Sequence, residues 1–197
     1  GAGLFLYGGG ENSFFSECVI ENNSALNENS WGGGIFLNGQ GYSFNNLLVF
    51  ENSASEGAGI YVANNGTTIP NILNCTITKN TIIDNSGTAM YATRGNITNC
   101  IIWGNSGGEG PIPYPETNYT SVTYCNIDVD ISGEGNINTN PLFCNQDSMD
   151  FTLHENSPCI GSGLDGTTIG AFEIGCDILY PLLLLTYLVW NAFFLLG

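Results

Sequence analysis

Basic side chains are almost absent: Lys79 and Arg94 stand against eighteen acidic residues in a chain of 197, for a net charge of -16. A surface so short of cations repels nucleic-acid phosphates and polyanionic substrates such as uronate polymers, so no nucleic-acid partner is expected. Histidine is reduced to His154, between Leu153 and Glu155, which has no serine or cysteine motif beside it and reads as a surface residue. There is no CxxC pair for zinc, no EF-hand, no calcium nonapeptide and no Walker sequence. The string GSGLDG at Gly161 to Gly166 matches GxGxxG, but no helical pattern follows, which removes a nucleotide reading. Charged residues make up 10% of the chain and glycine 27 positions, with asparagine, serine and threonine abundant. That composition suits a secreted or surface β-rich protein better than a cytosolic enzyme.

What the chain has instead is a repeat. Phe15 to Ser24 aligns with Phe44 to Ser53, Ile72 to Thr81 and Ile97 to Ser106, and Val122 to Ile127 adds a shorter copy. One position is held by Cys18, Leu47, Cys75, Cys100 and Cys125, at spacings of 29, 28, 25 and 25 residues. A turn asparagine follows at Asn23, Asn52, Asn80 and Asn105. Between these strands lies a second series, GAGLFL from Gly1, GGGIFL from Gly32, GAGIYV from Gly57 and GTAMYA from Gly87. Short strands with period-2 alternation and no helix exclude leucine-rich, ankyrin and tetratricopeptide arrays. They predict an all-β fold, a single-stranded right-handed parallel β-helix of about five coils of 25–31 residues, stacked at about 4.8 Å.

Stacking places like over like. Cys18, Leu47, Cys75, Cys100 and Cys125 then form one interior column in which free cysteine serves as a small hydrophobe. Asn23, Asn52, Asn80 and Asn105 form a corner ladder, where asparagine tolerates a left-handed turn and bonds its amides along the stack. With Leu4 and Leu6 and their equivalents inward, Phe5, Phe36, Tyr61 and Tyr91 point outward as an aromatic column, a candidate platform for sugar rings or a partner surface. Cys144, Cys159 and Cys176 lie outside the repeats in a loop-rich stretch where a disulfide is expected, its pairing open.

The chain divides into coils over residues 1–127, a terminal region over 128–177 and an apolar tail over 178–197. It opens inside a coil with no signal peptide, so an upstream part is expected. Pro111, Pro113 and Pro115 mark the longest turn, from Gly107 to Thr120, of the kind that carries specificity. Past Asp128 the periodicity fades, and Leu142, Phe143, Phe151, Leu153, Ile160 and Phe172 are expected to cover the open end of the last coil. Ile178 to Leu196 is long enough as a helix, roughly 28 Å, to approach a bilayer core. A membrane anchor or sorting tail is one reading; a truncated reading frame and a helix packed on the cap are the others.

The blocks Asn140 to Phe143 (NPLF), Asp150 to Leu153 (DFTL), Ser157 to Ile160 (SPCI) and Ile169 to Glu173 (IGAFE) carry a resemblance. In this order they resemble the C-terminal region of pectin-lyase-like β-helix proteins of the choice-of-anchor group. The glycine-rich strand starts are similar to repeats of polymorphic outer-membrane proteins, without their regular FxxN tetrapeptide. The resemblance implies an extracellular or cell-surface protein attached by a variable C-terminal device, and no particular reaction.

Enzymatic readings can be set against the residues. Lyases of this fold pair acidic calcium ligands with a basic residue, for which only Lys79 and Arg94 are available, with no carboxylate cluster on a neighbouring coil. Hydrolases need paired aspartates; Asp128 and Asp130 share a strand face at the start of the cap and Asp84 stands alone, so no catalytic residue is assigned. Calcium remains a candidate cofactor at Asp128, Asp130 and Glu134, with Asp147 and Asp150 as further oxygens. The favoured expectation is a non-catalytic surface or secreted β-helix contacting glycans or surface proteins. The alternative is a polysaccharide lyase or glycoside hydrolase with its active coils elsewhere.

Overall fold

A computed structural model describes residues 2–64, 66–112 and 120–176. In the coils most apolar triplets are closed by a corner, and each coil strand pairs in parallel with its counterpart one turn away. The first row joins the opening halves of Leu4–Ser16 and Ile35–Asn45 to Ile60–Val62 and Met90–Ala92, with Leu4, Ile35, Ile60 and Met90 in register. The second row continues those two long strands into Asn71–Leu73, Gly95–Thr98 and Thr120–Thr123, aligning Phe15, Phe44, Ile72, Ile97 and Val122. The third row is Val19–Glu21, Leu48–Phe50, Thr76–Thr78, Ile101–Trp103 and Asn126–Ile127. Five copies of that strand enclose four turns, one fewer than the coils counted from the sequence. A short fourth row, Ser53–Ala54 and Thr81–Ile82, closes each loop.

The inward residues of the first three rows form one continuous core. Leu47, Cys75, Cys100 and Cys125 run through it, all buried, while Cys18 at the outer edge is exposed. These thiols are free. The backbone N–H groups of Cys75 and Cys100 point at the sulfur of the next cysteine, at 3.5 and 3.4 Å.

The asparagine ladder exists, but its conformation differs from expectation. The left-handed residues at that corner are Asn22, Glu51, Lys79 and Gly104, each one position earlier. The reversal there swings the following asparagine inward. Its Nδ2 and backbone N–H both donate to the Oδ1 of the next coil's asparagine, at 3.0 Å from Asn23 to Asn52, Asn52 to Asn80 and Asn80 to Asn105. Gly34 and Gly59 face this ladder: a Cβ at either would sit 3.0 Å from the amide nitrogen of Asn52 or Asn80. The glycine series and the asparagine series are thus two sides of one packing contact.

From Leu142 on, the terminal region does not sit over the end of the last coil as expected. It folds back along the outer side of the third row, where Leu48, Phe50 and Ile101 pack with Phe143, Phe151, Leu153, Cys159 and Ile169. Leu142 stays 38% exposed. Phe143–Asn145 pairs antiparallel with Asp150–His154, which pairs in parallel with Ile174–Cys176. A Cys144–Cys176 disulfide ties the outer strands together, and Cys159 remains a buried thiol. The end of the core is closed instead by the stretch holding Val129 and Ile131. There Asn136 takes the backbone N–H of Cys125 at 3.0 Å and donates to the Val122 carbonyl. The apolar tail and the prolines Pro113 and Pro115 lie outside the described residues. Among the described residues no helix is long and apolar enough to cross a membrane.

Candidate functional site

The central residue of each first-row triplet points outward, because its neighbours on either side face the core. Phe5, Phe36, Tyr61 and Tyr91 are therefore in register on the surface. Their ring centroids are 5.0, 5.5 and 4.9 Å apart with interplanar angles of 8, 1 and 9°. That separation is close to the strand spacing of about 4.8 Å, so the backbone itself sets the stack. Phe5 is 63% exposed at the outer end, and the other three are half-buried. Since the rings turn their faces toward one another, the column shows solvent a ridge of ring edges, not the flat platform of faces the sequence suggests. Offset stacks of this kind contribute about 0.5–1.5 kcal/mol per pair beyond area burial.

Trp31, which the strand pattern did not include, belongs to the same surface. Its ring lies 5.7 Å from that of Tyr61 at 15° and is 53% exposed. The signal was its position, immediately before the Gly32 series and paired across the turn with Glu56. Glu56 accepts from the Thr88 backbone N–H at 2.9 Å and from its hydroxyl at 2.6 Å. Burial, then Tyr91 and the Glu56 carboxylate, push the Tyr61 phenol above its ordinary value. The column is apolar along its length, with hydroxyls only on Tyr61 and Tyr91.

The remaining candidates are spread out. The Lys79 ammonium donates to the Gln146 carbonyl at 2.8 Å and lies 3.8 Å from Glu51. The Arg94 guanidinium donates to the Gly66 carbonyl at 2.7 Å. Asp84 accepts from Ser86, and His154 Nδ1 accepts from the Asn156 N–H at 3.2 Å. Asp128 accepts from the Gly104 N–H at 2.8 Å, Asp130 from the Asn138 amide at 3.2 Å, and Glu134 from the Tyr124 hydroxyl at 2.9 Å. Asp147 lies in the short 3-10 turn Gln146–Ser148, and Asp150 takes the Thr152 N–H at 3.1 Å. Among the described residues no three histidine, cysteine or acidic side chains gather closely enough to hold a metal, so the suggested calcium residues are not brought together. Burial raises the Asp128 carboxyl above the usual range, against the lowering effect of its backbone hydrogen bonds.

No curated protein and no solved structure matches the chain. A family model described as a right-handed β-helix region matches residues 1–127. That stretch is well over half of the 197 residues and coincides with the stacked rows, so the chain belongs to the right-handed β-helix family.

Proposed function

We propose that the protein is a non-catalytic, secreted or cell-surface β-helix that works by adhesion, contacting glycans or surface proteins through its exposed aromatic column. The observation that carries this reading is the four-ring stack from Phe5 to Tyr91, flanked by Trp31, on a rigid sheet face. Exposed aromatics held in place by the fold lose little entropy on binding, which is why such groups anchor interfaces. The acidic surface leaves neutral or basic partners as the compatible ones. Surface attachment is supported by the likeness of the NPLF, DFTL, SPCI and IGAFE blocks to choice-of-anchor proteins. Adhesion is favoured over lyase or hydrolase chemistry because Lys79 and Arg94 each spend a donor on a backbone carbonyl, at Gln146 and Gly66.

The test exposes the full chain to a glycan array, a polysaccharide panel and immobilised surface proteins, beside a Phe36→Ala, Tyr61→Ala double variant. Binding without product, lost in the variant, is the expected result. Release of unsaturated or reducing sugar ends, or binding indifferent to the two substitutions, would overturn the reading.

A further inference from the structure

A second surface, at the corner between the second and third rows, lies away from the aromatic column. Here the left-handed residues Asn46, Asn74 and Asn99 stack, each immediately before a member of the interior column. The loop 164–173 runs alongside them and leaves a groove of about 480 Å³. We propose that this groove is a binding site for neutral oligosaccharide.

Asn99 fixes the loop as a wall. Its Oδ1 accepts the Leu164 N–H at 2.8 Å, its Nδ2 donates to Thr167 Oγ1 at 3.0 Å, and its carbonyl takes the Gly170 N–H at 2.8 Å. The Ala171 N–H donates to Thr76 Oγ1 at 3.0 Å, closing the far side. A groove held this way is formed before a ligand arrives, which lowers the ordering cost of binding. Its free hydrogen-bonding groups are of the right kind for hydroxyls, which both donate and accept. Asn74 spends its Nδ2 on Asn45 at 2.8 Å and keeps its Oδ1 available. Glu173 holds the Thr168 hydroxyl at 2.6 Å with one carboxylate oxygen. Asp165 is exposed and, with Asn46, lines the groove. Leu164, 41% exposed, adds an apolar patch suited to the C–H side of a sugar ring. Among the described residues no lysine or arginine lines the groove, so phosphate, sulfate and uronate are repelled.

The left-handed backbone supplies a clean perturbation. Asn46 has φ 53° and Asp165 φ 57°, conformations that glycine adopts more readily than either residue. Asn46→Gly with Asp165→Gly therefore removes two ligand groups and leaves the thermal midpoint unchanged or raised. The experiment is calorimetric titration of the full chain with cellohexaose, maltohexaose and mannohexaose, and with hexagalacturonate as the anionic comparison. The expected result is millimolar or tighter binding of at least one neutral hexasaccharide, weakened about tenfold or more by the glycine pair. The same binding should persist in the Phe36→Ala, Tyr61→Ala variant. No binding of any neutral hexasaccharide, tighter binding of hexagalacturonate, or binding unchanged by the glycine pair would each overturn the proposal. Binding lost only in the aromatic variant would overturn it too, while supporting adhesion through the column.

Discussion

Asn80 is the most heavily used side chain in the ladder, and replacing it by alanine should be far more damaging than replacing its counterpart Asn23. It is fully buried. Its Nδ2 lies 3.0 Å from the carbonyls of Val49 and Thr78 and from Asn105 Oδ1. Its Oδ1 takes the backbone N–H and the Nδ2 of Asn52, both at 3.0 Å. Asn80→Ala leaves the Asn52 N–H without its acceptor inside the protein, at a cost of about 1–3 kcal/mol, and weakens four further contacts. It also opens a void against Gly59, so the total loss is about 3 kcal/mol or more. Asn23, in the first coil, receives no amide among the described residues, and its Nδ2 reaches the Glu21 carbonyl and Asn52. Its removal orphans no buried group and costs about 0.5–1 kcal/mol. Urea unfolding followed by far-ultraviolet circular dichroism measures both. With a slope of about 2 kcal/mol/M the midpoint should fall by about 1.5 M for Asn80→Ala and by under about 0.5 M for Asn23→Ala. Equal shifts would refute the ladder as a buried, load-sharing network.

Three further outcomes follow from the same geometry. The Tyr61 phenol is raised by burial, Tyr91 and Glu56 above an ordinary value near 10. Its stabilising share is whole below about pH 10 and is lost as pH climbs through the raised value, so thermal melts should weaken at alkaline pH less in Tyr61→Phe than in the parent. Burial likewise raises the Asp128 carboxyl, and its Oδ1 is buried with no partner among the described residues. Ionisation there works against folding, so Asp128→Asn should melt higher at pH 7, and the difference should vanish at pH 3, where both states are neutral. Iodoacetamide should modify Cys18 in the native protein and reach Cys75, Cys100, Cys125 and Cys159 only in urea, since those four thiols are buried and Cys100 and Cys159 are raised by that burial. Native labelling of Cys100 would contradict the continuous core.

Much of the fold was legible because a parallel stack demands that each position resemble the one a turn away. The columns through Cys75, Phe36 and Asn80 could be read by alignment alone, and the structure sets them in register. The corner conformation was not legible, since Glu51 and Lys79 adopt φ near 50° without the glycine or asparagine that normally marks such a turn. Trp31 escaped notice because it sits outside a strand. The cysteine pair could not be chosen from three by spacing; burial decides it, with Cys159 packed inside the cluster and its sulfur 3.1 Å from the Asn126 amide.

The docking of the terminal region did leave a trace in the sequence. Leu48-Val49-Phe50 and Ile101-Ile102-Trp103 are apolar at every position, whereas a strand with one solvated face alternates. Such a strand must be covered on both sides, and the four C-terminal blocks supply the outer cover. The energetic consequence is large. A plain solenoid is stabilised by nearest neighbours, each coil touching only the next. Here Leu48 and Phe50 come from one turn and Ile101 from another, yet all share one cluster with Phe151 and Leu153. Exposing three such side chains costs roughly 1.5–3 kcal/mol each, a sum comparable with the whole stability of an ordinary domain. Asn99 and Thr76 add hydrogen bonds to the same loop. The coils and the terminal region therefore stabilise each other across the turns, and the groove between them keeps its shape only while both are folded.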